Sequence, residues 1–213
     1  MERLILVQGP GGQGRDVLDA IQAAGGTVVG VIDEGPAGSF VLGVPVLGPP
    51  SAWRTYAAEG HAFVLSHGQG ERRALAAEIR AAGGKVASVL HPRATISPHA
   101  RLGEGVIVLA GVVIAPDAVV GELSIINANS SIDHDCVLGA AVQFGPGVTL
   151  AGVVRVGDEA FLGVGASVMP GVSIGARAVV GAGAGVIRDV PDGGTGVGNP
   201  AKARMEAAGV RQG

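Results

Sequence analysis

The sequence has 213 residues, of which 15% are charged and 47% are hydrophobic, and its net charge is −3. This composition argues against a disordered chain, and the lack of a basic run argues against nucleic acid or an anionic membrane as a partner. A single cysteine, Cys136, excludes an internal disulfide and a multi-cysteine metal site. No apolar stretch is free enough of Gly, Pro and charge to cross a bilayer, so we expect a cytoplasmic protein.

The N-terminal part alternates between strand-like and helix-like segments. We expect strands at residues 4–7, 27–32, 62–65 and 86–90, and helices at residues 15–24, 51–59 and 71–82. This alternation predicts a Rossmann-like βαβ domain with a parallel sheet at residues 1–90. Its end is placed near His91 and Pro92, just before a repeat begins.

A glycine-rich turn follows the first predicted strand. Residues 9–14 read GPGGQG, which fits the GxGxxG pattern, and Asp33 ends the next strand nineteen residues after Gly14. In this setting backbone N–H groups and a helix N-terminus bind phosphate, and the acid binds a ribose hydroxyl. A full NAD site needs two mononucleotide halves, so a domain of this length favours a different nucleotide-linked ligand. The alternative is a turn that only connects strand to helix.

A six-residue repeat runs from Ile96 onward without an insertion. Stepping by six from Ile96 to Val186 meets sixteen large apolar residues in succession. The fourth residue after each, from Ala100 to Val190, is Ala, Val, Ser or Cys. A period of six matches neither an α-helix nor an isolated amphipathic strand. It predicts a short strand plus a corner, with the large residue pointing inward and the small one at the turn.

Three such units close a triangular coil, and coils stack about 4.8 Å apart through parallel hydrogen bonds. The 38 glycines and the 3% of aromatic residues fit such a solenoid, because its interior is narrow and its corners are tight. We therefore predict a parallel β-helix over residues 91–198. A tail at residues 199–213 follows, with a short helix at residues 201–208.

His134 is the strongest candidate for chemistry in the repeat. It lies two places after the inward Ile132, so it should face outward, and acids flank it at Asp133 and Asp135. Its neighbours one coil below and above are Pro116 and Gly152, which leave the ring uncrowded. A histidine fixed by a carboxylate suits a general base near neutral pH. The alternative is a solvated surface histidine.

Other polar residues of the repeat allow two interpretations each. Asn127 and Asn129 either bind substrate or serve the corner, since Asn tolerates a left-handed backbone. Cys136 occupies a small inward position, so we expect packing rather than nucleophilic chemistry. His99 and His134 are too few and out of register for a metal site, which needs about three convergent ligands. We expect the histidines outside the repeat to be structural or exposed: His61, His67 and His91.

The chain resembles the bacterial hexapeptide-repeat sugar acetyltransferases of the sialic-acid O-acetyltransferase type. Within that family it is most similar to the enzymes that acetylate UDP- or GDP-linked 4-amino sugars, as in bacillosamine and perosamine synthesis. The most specific stretch is residues 134–139, HDCVLG. Further landmarks are the glycine-rich start, Asp33, the His91–Pro92 junction, and GNPAK at residues 198–202.

The resemblance implies a left-handed coil and a homotrimer, with acetyl-CoA as the co-substrate in a groove between neighbouring prisms and no metal. It implies that the N-terminal domain binds the nucleotide sugar through Gly11, Gly12, Gln13 and Asp33.

The resemblance also implies the roles of the β-helix residues. His134 would be the base, Asp135 would orient it, and Asn127 would line the active site. The N–H of Gly152 would stabilise the oxyanion. The residues expected to contact the coenzyme are Gly152, Val164, Gly165, Gly183 and Lys202.

The sequence departs from the family at two positions that usually carry histidine, which are Gln13 and Gln143 here. Glutamine donates and accepts hydrogen bonds but does not titrate. The expected reaction is N-acetylation of a nucleotide-linked 4-amino sugar. The alternatives are O-acetylation of a sugar and a non-catalytic nucleotide-sugar-binding or scaffold trimer, with an NAD-linked enzyme more remote.

Overall fold

The computed structural model describes residues 3–7 and 12–205 and begins with an α/β unit. Its strands are β1 (Arg3–Val7), β2 (Thr27–Ile32), β3 (Phe40–Val41), β4 (Val44–Gly48), β5 (Ala62–Leu65) and β6 (Lys85–Val86). Its helices are α1 (Gln13–Ala23), α2 (Trp53–Ala58) and α3 (Gln69–Ala81), and a 3₁₀ turn at Pro50–Ala52 precedes α2. The strand order is β3-β4-β2-β1-β5-β6, and all neighbours are parallel except β3 and β4, so the sheet is mixed.

The structure confirms the three predicted helices and the predicted strands at 4–7, 27–32 and 62–65. Their ends differ from the predicted ends by two residues at most. The hairpin of β3 and β4 was not predicted. Its two-residue loop, Leu42 and Gly43, has φ values of 46° and 80°, which is the backbone of a tight hairpin turn. Leucine at the first position concealed it, because Asn or Gly normally marks such a loop.

The single strand predicted over residues 86–90 is wrong. β6 ends at Val86 and pairs with β5, whereas β7 (Val89–Leu90) pairs with Ile107–Val108 in a different sheet. Ala87 still donates a backbone hydrogen bond to the α/β sheet, and Val89 already donates one to the next coil of the β-helix. The segment reads as one strand because each of its two short strands contains a buried valine, although the two strands lie in different sheets.

Two-residue parallel strands on three faces form a β-helix. The first face contains β7, β10 (Ile107–Val108), β13 (Ile125–Ile126), β16 (Gln143–Phe144), β19 (Phe161–Leu162) and β22 (Val179–Val180). The second face contains β8 (Thr95–Ile96), β11 (Val113–Ile114), β14 (Ser131–Ile132), β17 (Thr149–Leu150), β20 (Ser167–Val168) and β23 (Gly185–Val186). The third face contains β9 (Arg101–Leu102), β12 (Val119–Val120), β15 (Val137–Leu138), β18 (Arg155–Val156) and β21 (Ser173–Ile174).

Both sequence periods are visible in this part. Paired residues lie 18 apart, as in Ile107 with Ile125, so three hexapeptides form one coil. The large inward residues from Val108 to Val186 are all buried, as predicted. Every sixth residue from Gly105 to Gly183 has a positive φ, and this left-handed residue turns the chain at each corner.

The tail adds a hairpin to the first face. β24 (Gly194–Val197) pairs with β22 in parallel, and β25 (Lys202–Met205) pairs with β24 in an antiparallel sense. The helix predicted at residues 201–208 is therefore wrong over 202–205, while residues 206–208 lie outside the described part. The physical reason is the open edge of β24, whose backbone groups β25 satisfies.

The α/β unit packs against the first face. Val17 and Ile21 of α1 share one buried cluster with Ile107 and Ile125 of the β-helix. Helix α3 adds ion pairs to the same body, in which Arg80 contacts the carboxylates of Glu104 and Glu122. The carboxyl ends of the central strands are thereby held beside the first face.

Candidate active site

His134 lies at the corner between the second and third faces. We call this corner the His134 edge, and it comprises residues 115–117, 133–135, 151–153 and 169–171. Ile132 is fully buried, and the His134 side chain, two places later, is 56% exposed, so the predicted outward orientation is confirmed. Nδ1 of His134 is 2.8 Å from Oδ2 of Asp135, and its backbone N–H donates to Oδ1 of Asp133 at 2.8 Å.

These acids fix the ring and change its basicity. The hydrogen bond to Asp135, followed by the charge of Asp133, raises the pKa of His134 above its ordinary value. An ionised carboxylate only accepts hydrogen bonds, so the proton of the neutral ring lies on Nδ1. Nε2 is therefore left with its lone pair, which is the arrangement that a general base requires.

Gly152 provides the space for this ring. A Cβ at Gly152 would lie 2.7 Å from both Cε1 and Nε2 of His134, so only glycine fits beside the ring in this position. Backbone hydrogen bonds connect this corner to the corners of the coils above and below. The N–H of Val153 donates to the carbonyl of His134, and the N–H of Asp135 donates to the carbonyl of Pro116. The two coil neighbours predicted for His134 are thus confirmed.

Asn127 lies on a different corner. It belongs to the corner between the first and second faces, here called the Asn127 edge, which comprises residues 127–129, 145–147, 163–165 and 181–183. Its Oδ1 accepts a hydrogen bond from the N–H of Ala128 at 2.7 Å. Asn129 has a φ of 57°, so the corner interpretation holds for that residue. Within one chain, Asn127 and His134 flank the second face from opposite sides.

Three of the residues expected to contact the coenzyme stack on the Asn127 edge. Val164 is 56% exposed, and the N–H of Gly183 donates to its carbonyl at 2.8 Å. Gly165 and Gly183 both have positive φ values, and no atom lies within 4 Å of the position that a Cβ would take. This edge therefore presents an open strip of backbone beside one exposed apolar side chain.

The upper end of the β-helix carries a pocket near Lys202. The pocket has a volume of about 330 Å³ and is lined by Arg188, Asp189, Val190, Ala201 and Lys202. Two cations thus line one concave surface, which is a suitable place for a phosphate. The sequence predicted Lys202 as a contact of the coenzyme. It gave no indication of Arg188, which lies in the chain between the last two inward valines of the repeat.

The residues expected to bind the nucleotide sugar follow strands of the α/β unit. Gly12 precedes α1, and no atom lies within 4 Å of the position that its Cβ would take. Asp33 follows β2, and its Oδ1 accepts a hydrogen bond from the N–H of Glu34 at 2.8 Å. Gln13 begins α1, whereas Gly11 lies outside the described residues.

The two glutamines that replace family histidines contact each other. Nε2 of Gln143 donates to Oε1 of Gln13 at 3.2 Å, although 130 positions separate them in the chain. The guanidinium of Arg72, a fully buried side chain, donates to Oε1 of Gln143 at 3.3 Å. Arg72 also donates to three backbone carbonyls, those of His67, Leu123 and Ala141. Burial lowers the pKa of Arg72 to about 10, so it stays charged at neutral pH.

Sequence reasoning missed Arg72 and assigned no function to His67. A signal existed for Arg72, because it lies four and seven places before the buried Ala76 and Ile79 on one stripe of α3. His67 follows β5, and burial is the main cause that lowers its pKa. In the described part of the chain, two buried side-chain atoms have no hydrogen-bond partner, Nδ1 of His67 and Nε2 of Gln13.

The remaining candidates are structural. Cys136 is fully buried, its Sγ donates to the carbonyl of Ala151 at 3.2 Å, and burial raises the pKa of the thiol, which confirms packing. His91 is buried, and its Nδ1 accepts a hydrogen bond from the N–H of Arg93. His61 is buried beside Glu59.

Two kinds of feature are absent from the described residues. Within residues 3–7 and 12–205, no three His, Cys, Asp or Glu side chains are grouped closely enough to hold a metal ion. Over the same ranges, no helix has the length and apolar character needed to cross a membrane.

The two-part architecture has counterparts among known proteins. The family described as bacterial transferase hexapeptide (six repeats) matches residues 154–188. The chain is similar to GDP-perosamine N-acetyltransferase from Caulobacter crescentus, solved with CoA and GDP-perosamine in a variant that replaces one histidine with alanine. The identity is 43%, the match covers 95% of this chain and 97% of that one, and the TM-score is 0.90.

Two further structures match over the same length. The acetyltransferase domain of PglB from Neisseria gonorrhoeae, solved with acetyl coenzyme A, is 34% identical, with 96% and 100% of the two chains covered and a TM-score of 0.89. WeeI from Acinetobacter baumannii is 28% identical, with 95% and 100% covered and a TM-score of 0.85. No curated protein sequence matches.

Proposed function

The chain belongs to the hexapeptide-repeat acetyltransferases of nucleotide-linked amino sugars, and from this premise we propose that it transfers the acetyl group of acetyl-CoA to a UDP- or GDP-linked 4-amino sugar. The observation that carries the proposal is the His134 edge, where Asp135 binds Nδ1 and Gly152 leaves room beside Nε2. A protein that only bound nucleotide sugars would have no use for a base fixed in this way.

The proposed reaction follows from the tautomer of His134, in which Nδ1 carries the proton and Nε2 the lone pair. Neutral His134 takes a proton on Nε2 from the sugar amine as the amine nitrogen attacks the thioester carbonyl. The new C–N bond forms a tetrahedral oxyanion, and the C–S bond then breaks. The departing CoA sulfur receives the proton from His134, which restores the neutral base. No acyl-enzyme is formed, and much of the rate comes from holding both substrates together.

Gly152 is a suitable donor to the oxyanion. Among the residues that the structure describes, the N–H of Gly152 makes no backbone hydrogen bond, although its carbonyl accepts one from Gly171. A backbone N–H beside the base, in a position without a side chain, can approach a thioester oxygen closely. We assign it that role.

We propose that the coenzyme lies along the Asn127 edge. Val164, Gly165 and Gly183 would contact the pantetheine, because they combine an apolar side chain with open backbone. Lys202, together with Arg188, would bind phosphate in the pocket at the upper end. Asn127 would line the same groove near the reacting groups.

We further propose a homotrimer with a left-handed coil, as in the family. The α/β unit covers the first face, and His134 lies at the corner opposite that face. A nucleotide sugar held by Gly11, Gly12, Gln13 and Asp33 of a Rossmann-like βαβ unit therefore needs the His134 edge of a second copy. Exposed apolar side chains on the second and third faces and the His134 edge support such an assembly: Val113, Val137, Val153 and Met169. The proposed substrates, acetyl-CoA and a nucleotide sugar, support a cytoplasmic location.

The test is CoA thiol release from acetyl-CoA with a panel of UDP- and GDP-linked 4-amino sugars and their 4-hydroxy counterparts. We expect rapid release with one amino sugar and none with its hydroxy counterpart. His134→Ala should abolish release and leave acetyl-CoA binding intact. The matched control is His99→Ala, which removes an exposed histidine two coils below on the same side of the β-helix.

Release with hydroxy sugars alone would replace this function by O-acetylation. No release with any acceptor would favour a protein that only binds. Turnover by His134→Ala at the wild-type rate would refute the mechanism.

A further inference from the structure

The contact between Gln13 and Gln143 lies at a special place in the α/β sheet. The chain continues from β1 to β2 and β4 on one side and returns to β5 on the other side of β1. Ligands of parallel α/β sheets bind outside the carboxyl ends of the strands at such a switch point. Gln13 follows β1 and His67 follows β5, and in the described part of the chain these two residues hold the buried side-chain atoms without a partner.

Arg72 fixes which way both amides point. A guanidinium only donates hydrogen bonds, so the atom of Gln143 beside Arg72 must be the carbonyl oxygen. The amide nitrogen of Gln143 then faces Gln13 and donates to its oxygen. Gln13 therefore turns its own Nε2 away from Gln143. The series of hydrogen bonds that begins at Arg72 thus ends in a free N–H donor, Nε2 of Gln13. Reversal of any one amide would set two donors or two acceptors against each other.

The unpaired donor defines what can bind beside it. A buried N–H without an acceptor is costly, and a ligand that supplies an oxygen removes that cost on binding. Gln13 as a whole is only half-buried, so its amide lies close to the surface at the switch point. Because neither glutamine titrates, this polarity is the same at every pH at which the protein is folded.

We propose that Gln13 is a specificity-determining residue whose Nε2 binds an acceptor oxygen of the nucleotide-linked sugar, and that Gln143 and Arg72 position this amide without touching the ligand. The inference rests on the proposed function and specifies the chemistry of its substrate site. The acceptor is an oxygen of either the diphosphate or the sugar.

The test reverses the chain of hydrogen bonds. In Gln143→Glu, both carboxylate oxygens accept, so one keeps Arg72 and the other attracts Nε2 of Gln13. Gln13 then turns its oxygen toward the ligand. Gln13→Met removes the donor without adding charge. For both variants we expect KM for the nucleotide sugar to rise about 10- to 100-fold. KM for acetyl-CoA and kcat at saturation should change by less than about threefold, a split that a general loss of structure would not produce.

The control is Gln22→Glu, which makes the same charge change on the exposed side of α1. Calorimetric titration with GDP, UDP and the productive nucleotide sugar identifies the acceptor. Weaker binding of the free diphosphate in both variants assigns the oxygen to the diphosphate, and weaker binding of the nucleotide sugar alone assigns it to the sugar. Unchanged affinities in both folded variants, with normal wild-type turnover, would overturn the inference and leave the proposed function standing. Absence of wild-type turnover would count against the proposed function instead.

Discussion

Substitution of Gly152 by alanine tests the active site through one methyl group. The added Cβ would lie 2.7 Å from Cε1 and Nε2 of His134, whereas an ordinary contact is 3.4 Å or more, so the ring must retreat by about 0.7 Å. The φ of Gly152 is not in the left-handed region, and the ring is exposed, so the backbone tolerates the change. A displacement of about 1 Å can cost about 10²-fold in rate, and we expect kcat to fall roughly 10- to 100-fold.

The assay combines steady-state kinetics with thermal unfolding. The melting temperature of Gly152→Ala should match that of the wild-type protein, and Gly70→Ala, at an exposed helical glycine with open space around its Cβ position, is the control whose kcat should not change. An unchanged kcat, or an effect confined to KM for acetyl-CoA, would refute crowding of the base.

Two other predictions concern charge. Asp135→Asn removes the main cause of the raised pKa of His134. Because the base acts when deprotonated, the acid limb of kcat/KM should move to lower pH, while Asp117→Asn, one coil below, should leave it unchanged; an upward move would contradict the assignment. Arg72→Met removes the donor of two buried carbonyls and one partly buried carbonyl, and it should lower the free energy of unfolding by roughly 3–5 kcal/mol in urea titrations. Arg54→Met, which removes an exposed ion pair, should cost less than about 1 kcal/mol, and equal losses would refute the argument.

The β-helix was predictable because its contacts have a fixed sequence separation. Residues 18 apart stack directly, so the position of His134 below Gly152 follows from counting. The inward and outward sides follow from the same count, as do the buried Cys136 and the exposed His134. Stacking of this kind involves only neighbouring coils, and no long-range packing can change the register.

The contacts between the two parts of the chain were not predictable in the same way. No period relates Gln13 to Gln143, and their contact depends on how α3 inserts Arg72 against the first face. The apolar segment at residues 86–90 shows the same difficulty. A short run of strand-forming residues does not reveal that its two halves belong to different sheets. Such features are set by tertiary packing, which local patterns only constrain.

The exposure of His134 in a single chain has a consequence for where catalysis takes place. Its carboxylate neighbours raise its pKa, so the exposed ring is protonated over more of the neutral range than a free histidine and is a poorer base there. Any surface that covers the ring opposes this, because loss of solvent disfavours the charged form. The carboxylates and the loss of solvent thus act in opposite directions on the pKa of the ring. In the proposed assembly a neighbouring copy and the substrates would enclose the ring and favour its neutral form, and the proposed nucleotide site on the far side of the same chain requires such a neighbour.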